Sequence, residues 1–212
     1  MGVSRQQAAE NRRAIVAAAE KLFRERGVEG VGLAELMKTA GFTQGGFYNH
    51  FESKDALVAA VVEKAMEDGG NEFAAIIENA RSDNTNPVKA RIQWYLSPEH
   101  RGNIDGGCPL SGFVVDAPRF GDVAHGSYAE GLAGNLEEFA KVIEETDGVS
   151  EGSRKKAIAL FSQMIGTVLL SRAVVDVDPA LADEILDEGR EHLLSVVDEA
   201  AGTRSRRHSR RR

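Results

Sequence analysis

Apolar residues recur at helical spacing through most of the chain, and no stretch alternates in the way a strand would. Ile15, Val16, Ala19, Leu22 and Phe23 share one face of a first helix. Leu33, Leu36, Met37 and Ala40 do the same over a short second one, from Leu33 to Thr39. A third starts near Thr43 and carries Phe47 and Phe51, four apart and therefore on one inward face. Ser53 caps a fourth, which bears Leu57, Val58, Val61, Val62 and Ala65, then Phe73, Ile76, Ile77 and Ala80 beyond the pair Gly69-Gly70. That pair predicts a weakened or kinked joint. Pro87 opens a further helix, residues 98–107 read as a polar, Gly-rich loop, and Pro109 suits a first helical position. Helices are expected near 121–146, over about 151–175, and after Asp178-Pro179. The 151–175 segment is apolar on most sides and must be buried. The pattern predicts an all-α protein of about nine helices.

The turn between the second and third helices carries the most information. Ala40-Gly41-Phe42 joins them, with Gly41 where a helix C-terminus needs a positive φ and Thr43 placed to cap the next helix by its hydroxyl. Two helices joined by so short a Gly-containing turn form a helix-turn-helix, whose second helix enters the DNA major groove. Tyr48 and Asn49 then point outward, with Gln44 one turn earlier. Gln can bond adenine bidentately and Tyr can donate to phosphate. Gly45 and Gly46 each cost roughly 1 kcal/mol in helix propensity, which suggests a use other than stability, such as close approach of the backbone to DNA. Lys54 sits with exposed N–H groups at the start of the fourth helix, a combination suited to phosphate.

The string GFTQGGFYNHFESKDAL, residues 41–57, resembles the signature of the TetR family of bacterial regulators. The resemblance implies a three-helix DNA-binding head over residues 1–52, a helical regulatory and dimerisation body over 53–202, and DNA contacts from Thr43, Gln44, Gly45, Gly46, Tyr48, Asn49, His50 and Lys54. Gly32-Leu33 departs from the Ser or Thr that caps the second helix in many members. The resemblance further implies a homodimer whose last two helices pair with their mates, through Ile158, Ile165, Leu169, Leu186, Leu193 and Val197. A twofold dimer doubles the few base pairs one helix reads, so the operator is expected to be near-palindromic double-stranded DNA. A pocket for an unknown, mainly apolar effector is expected among Trp94, Tyr95, Cys108, Phe113, Phe120, Tyr128, Phe161 and Met164.

Charge refines this picture. The chain carries −7 overall. Residues 1–55 hold eight basic and seven acidic side chains, residues 56–203 hold 12 and 26, and residues 204–212 hold six arginines and no acid. An acidic body repelled by phosphate would orient a near-neutral head toward DNA. The terminal segment, 203–212, is expected to be a disordered Arg-rich tail that could add sequence-independent affinity. The N-terminus lacks an apolar stretch, and the longest apolar region, residues 157–170, is too short to span a bilayer, so a cytoplasmic protein without membrane contact is expected. The one cysteine, Cys108, rules out an internal disulfide and stands at a helix start, where a reactive thiol is favoured. An enzyme would need Cys108 with His100 or His125 as its base, and no metal-ligand cluster, phosphate loop or strand-borne nucleophile supports that. The expectation is a transcriptional repressor without metal or cofactor, released from its operator by a small molecule. A thiol or electrophile sensor using Cys108, or an activator, are the alternatives on the same scaffold.

Overall fold

The structure is a computed structural model that describes residues 4–209, with side chains up to 199. It is all-helical: among the described residues it has nine α-helices, two 3₁₀ helices and no strand. In chain order the α-helices are α1 (Arg5–Arg26), α2 (Leu33–Thr39), α3 (Lys54–Ser82), α4 (Pro87–Tyr95), α5 (Pro98–Gly102), α6 (Pro109–Gly112), α7 (Asp122–Asp147), α8 (Ser153–Val174) and α9 (Pro179–Ser209). The 3₁₀ helices are Gln44–Asn49 and Ala117–Arg119.

Most boundaries follow from local chemistry. Ser4, Ser53, Asn86, Ser97 and Asp178 each accept a backbone N–H three residues on, at 3.0–3.1 Å. Ser97 followed by Pro98 and Glu99 starts the one-turn helix α5 inside the segment expected to be a loop. The chain supplies a cap, a proline at the first position and an acid in the first turn, which together are a helix start. At the end of α2, Gly41 takes φ 84°. Its N–H bonds to Lys38 O and that of Phe42 to Met37 O, the paired closure of a Schellman motif.

The described chain divides into two compact units, Met1–Gly69 with Ile104–Leu132 and Gly70–Asn103 with Ala133–Arg212. The expected head, 1–52, lies within the first. α3 and α7 each contribute residues to both units. The first unit buries Ile15, Val16, Ala19 and Phe23 of α1 against Leu36 and Met37 of α2, Phe47, Phe51, and Leu57, Val61 and Val62 of α3. Leu110 and Phe113 are buried there too.

α3 runs without interruption through Gly69-Gly70, so the expected joint is not a break. Packing explains the first glycine. A Cβ on Gly69 would stand 2.7 Å from Cδ of Pro109, whereas one on Gly70 would meet nothing within 4 Å. A similar close approach occurs on α7, where a Cβ on Gly131 would meet Met66 at 2.7 Å.

The second unit is built on α8. Its buried residues Ala157, Leu160, Phe161, Met164, Thr167, Val168 and Ser171 form one stripe. At 22 residues it is long and apolar enough to cross a membrane by length and composition, contrary to the estimate from its apolar core alone. That buried stripe packs against the chain's own helices. Ser171 Oγ donates to Ala182 O at 2.7 Å, and a Cβ on Gly189 would lie 2.5 Å from Thr167. The α9 residues Leu186, Leu193 and Val197, expected at a dimer interface, are 1–3% exposed. They form the inner stripe of an amphipathic helix whose apolar positions are used within the protomer. α9 continues to Ser209, into the Arg-rich segment. Its side chains from residue 200 onward, and residues 210–212 altogether, lie outside the described residues.

Two buried polar side chains shape this unit. The Arg91 guanidinium lies 3.6, 4.4 and 5.0 Å from the ring centroids of Phe73, Phe139 and Phe161, and donates to Asn135 Oδ1 at 2.9 Å. His100 packs on Trp94 and Tyr95, with centroids 4.5 and 4.4 Å away, and its Nδ1 lies 2.7 Å from Tyr95 O.

Two outcomes are expected. Gly70→Ala should raise the unfolding free energy by about 0.5–1 kcal/mol. Gly69→Ala should lower it by about 1–3 kcal/mol through overpacking on Pro109. Denaturant midpoints of the two variants separate them. Burial pushes the His100 imidazolium pKa down from 6.5 to about 4. A group with a depressed folded pKa stabilises fully above the unfolded value, because the unfolded chain alone takes up its proton as the pH falls. Stability should therefore drop between pH 6.5 and about 4, by roughly 3 kcal/mol at most. That part of the pH profile should be missing from His100→Gln, as measured by chemical unfolding.

Candidate nucleic-acid interface

The segment expected to be an α-helical reader is a 3₁₀ helix, Gln44–Asn49. Gly46 N–H donates to Thr43 O at 3.0 Å and His50 N–H to Phe47 O at 2.9 Å, both three residues back. Two glycines in its first half lower the α-helical preference, and the tighter winding suits so short a piece. The same bond corrects the capping expectation. Thr43 occupies the N-cap, but its hydroxyl makes no cap bond, because its own carbonyl already accepts the Gly46 N–H.

Beneath this turn lies an aromatic base. Phe47 is fully buried and Phe51 nearly so, with their rings stacked 5.8 Å apart. Arg12 of α1 covers Phe51, its guanidinium carbon 4.6 Å from the ring centroid. Tyr48 meets the edge of Phe47 at 5.2 Å and is 70% exposed, the expected outward direction. Thr43, Gln44, Gly45 and Asn49 are exposed as well, while Gly46 and His50 are half-buried, with the His50 ring 6.2 Å from Phe42. A Cβ on Gly45 would meet nothing within 4 Å, and on Gly46 only ordinary contacts at 3.9 Å. Neither has a positive φ. Among the described residues neither packing nor backbone conformation requires glycine at these two positions.

Lys54 is placed differently from the expectation. Its ammonium turns inward from the start of α3 and donates to Val28 O at 2.7 Å and Val31 O at 2.8 Å. These carbonyls belong to the connection between α1 and α2, which has few backbone bonds of its own, so the cation holds that connection to α3. Arg26 adds a second tie, to Glu35 of α2 and to Gly30 O. The i, i+4 spacing of Glu20 and Arg24 was visible in the sequence, but the depth of that pair was not. The Arg24 side chain is only 2% exposed.

The residues expected to line an effector pocket fall into two groups. In the first unit Phe113 lies 6.1 Å from Phe120, Cys108 is half-buried, and Tyr128 donates its hydroxyl to Leu110 O at 2.7 Å. Burial pushes the Tyr128 phenol up to about 12, and the neighbouring Cys108 adds to the shift. In the second unit Tyr95 packs 5.8 Å from buried Phe161, with Met164 buried and Trp94 half-buried. Five of the eight, Tyr95, Phe113, Tyr128, Phe161 and Met164, are thus core residues. A groove of about 430 Å³ in the first unit is lined by other residues, among them Arg12, Asp55, Ala59, Glu63 and Asp122.

A family model described as bacterial regulatory proteins, tetR family, matches residues 15–61, which run from α1 into α3. The chain is 29% identical over 149 residues to the HTH-type transcriptional repressor DhaR of Mycobacterium sp. (strain GP1), covering 70% of this chain and 72% of that one. It is 29% identical over 110 residues to the HTH-type transcriptional repressor NemR of Escherichia coli (strain K12), covering half of this chain and 55% of the relative. The crystal structure of the reduced form of E. coli NemR superposes with a TM-score of 0.70 at 22% identity, over 87% of this chain and 96% of that one.

Lys54→Met should lower stability by about 1–3 kcal/mol, since two carbonyls would be left without their charged donor. A lysine bound to phosphate would instead show in the salt dependence of DNA binding, whose logarithmic slope falls by about 0.9 for each phosphate no longer neutralised. The expected result is a lower unfolding midpoint with an unchanged salt slope, read by fluorescence anisotropy across a salt series.

Proposed function

The chain is a DNA-binding transcriptional regulator of the bacterial TetR family, and on that premise we propose that it works as a dimeric repressor of a near-palindromic operator, released by a small-molecule effector. The observation that carries the reading is Tyr48, a large aromatic held 70% exposed on a fully buried Phe47. An exposed aromatic beside exposed Gln44 and Asn49, on a rigid base, is a surface prepared for a partner. The chemistry of the three suits duplex DNA, with Gln44 reading an adenine edge and Tyr48 and Asn49 holding phosphates. Thr43, Gly45, Gly46 and His50 complete the contact surface, and Lys54 supports it from inside.

The dimer reading is supported by the outer face of α8. Ile158 is 43% exposed and Leu170 62%, with Ile165 and Leu169 half-buried along the same helix. Among the described residues that apolar stripe is only partly covered, and a second copy would bury it and place two reading elements on one duplex. Leu186, Leu193 and Val197, buried within the protomer, lie outside that stripe. Repression follows the relatives DhaR and NemR, both described as repressors. A second reading, release by modification of the Cys108 thiol, is favoured by the partial exposure of that residue.

Selection of the full chain against random duplex DNA tests the proposal. The expected product is a two-half-site sequence bound by a dimer. Gln44→Ala should cost about 1–3 kcal/mol and relax the preference at one base pair per half-site. Tyr48→Phe should weaken all sequences alike. Enrichment of no sequence, or of an asymmetric single site, sinks the proposal.

A further inference from the structure

α1 has two working faces. One carries Ile15, Val16, Ala19 and Phe23 into the core of the head. The other lies along residues 104–116: Lys21 Nζ is 3.4 Å from Asp105, and a Cβ on Gly27 would stand 3.5 Å from Asp116 Oδ1. At the centre of this second face is Arg24. Its Nη1 donates to Gly107 O, its Nη2 to Glu20 Oε1 at 2.8 Å, and its guanidinium carbon lies 5.2 Å from the Phe113 ring. Glu20 is held in turn by Lys64 of α3 at 3.0 Å. Among the described residues the buried Arg24 Nε has no hydrogen-bond partner, so the side chain depends on the two ties its Nη atoms make.

The turn that Arg24 grips is fixed from other sides as well. Tyr128 of α7 holds Leu110 O, Ser111 Oγ donates to Cys108 O at 3.1 Å, and Pro109 presses on Gly69 of α3. The Gly107 carbonyl is thus a point where the 106–112 turn is bonded directly to α1, a helix of the head. Loss of a partner by a guanidinium buried this deeply is strongly destabilising, so movement of the turn favours an answering movement of α1.

We infer that Arg24 is a positioning residue that couples the state of the 106–112 turn to operator binding. The inference rests on the reading of the head as a DNA binder. If the turn's state alters operator affinity, operator occupancy must alter the turn to the same degree. Cys108, half-buried within the turn, serves as the probe.

The experiment measures the rate of Cys108 alkylation by iodoacetamide in the full chain, with and without the duplex it selects, with gel shifts confirming the complex. The complex should react at least about fivefold more slowly. Arg24→Lys keeps a cation near Glu20 but loses the grip on Gly107. It should bind the duplex, more weakly, and show no difference in alkylation rate between free and bound protein. Should Arg24→Lys fail to fold by circular dichroism, Glu20→Gln, which loosens the anchor of the guanidinium, takes its place. An equal rate with and without DNA in the unaltered chain overturns the inference, as does protection that survives in the variant. A DNA-free measurement separates this from failure of the DNA-binding reading. In the same variant, amide exchange in α1 and in residues 106–112 should accelerate together, and acceleration on one side alone also overturns the coupling.

Discussion

The burial of Phe47 is the constraint from which the exposed surface around Tyr48 follows. A six-residue 3₁₀ turn with two glycines has little stability of its own. Its geometry is imposed by one ring driven into the core of the head and stacked on Phe51. Tyr48, next in sequence, is thereby turned outward, with Gln44 and Asn49 exposed on either side. Arg12 over Phe51, and Lys54 on the α1–α2 carbonyls, keep the base from shifting. These exposed residues take their positions from the buried ones beneath them.

The basic side chains of this acidic chain divide their work unexpectedly. Lys54 and Arg24 are two of the eight in residues 1–55, and both are used inside the fold. Arg91 is spent on three phenylalanine rings in the second unit. Each cation is met by carbonyl oxygens, π faces or hydrogen-bonded polar groups, which offset the loss of water. The formal charge of the head therefore overstates the positive charge it can present to phosphate. On the proposed DNA-binding surface, neutral donors such as Tyr48, Gln44 and backbone N–H groups would carry more of the contact.

The helix-turn-helix was legible in the sequence because its signals are local. The closure at Gly41 and the Phe47 and Phe51 spacing each depend on a few neighbouring residues, as do the caps at Ser53 and, farther along, Asp178. α5 was missed, because the polar, Gly-rich run around it hid the start signal of Ser97-Pro98-Glu99. Other features depend on which surfaces meet. Gly69 reads as a weak point in a helix until Pro109 is seen against it. Leu186, Leu193 and Val197 have the same spacing as an interface stripe, and only burial shows that the protomer uses them itself. Lys54 looks like a phosphate ligand because the two carbonyls that take its ammonium lie 23 and 26 residues earlier. The expected pocket residues divide between two units for the same reason, since aromatic content does not say which core an aromatic joins.

The depth of Arg24 bears on how modular such a regulator is. A head excised at residue 52 and grafted onto a different body would leave behind Gly107, Phe113 and Lys64. Its α1 would then hold a guanidinium facing whatever surface the new body supplied. Without a carbonyl in register with that side chain, the chimera would have a misfit at its centre even with the exposed surface around Tyr48 intact. The transplantable part of this protein is the head together with the start of α3 and the stretch from Ile104 through Asp116, which is discontinuous in the chain.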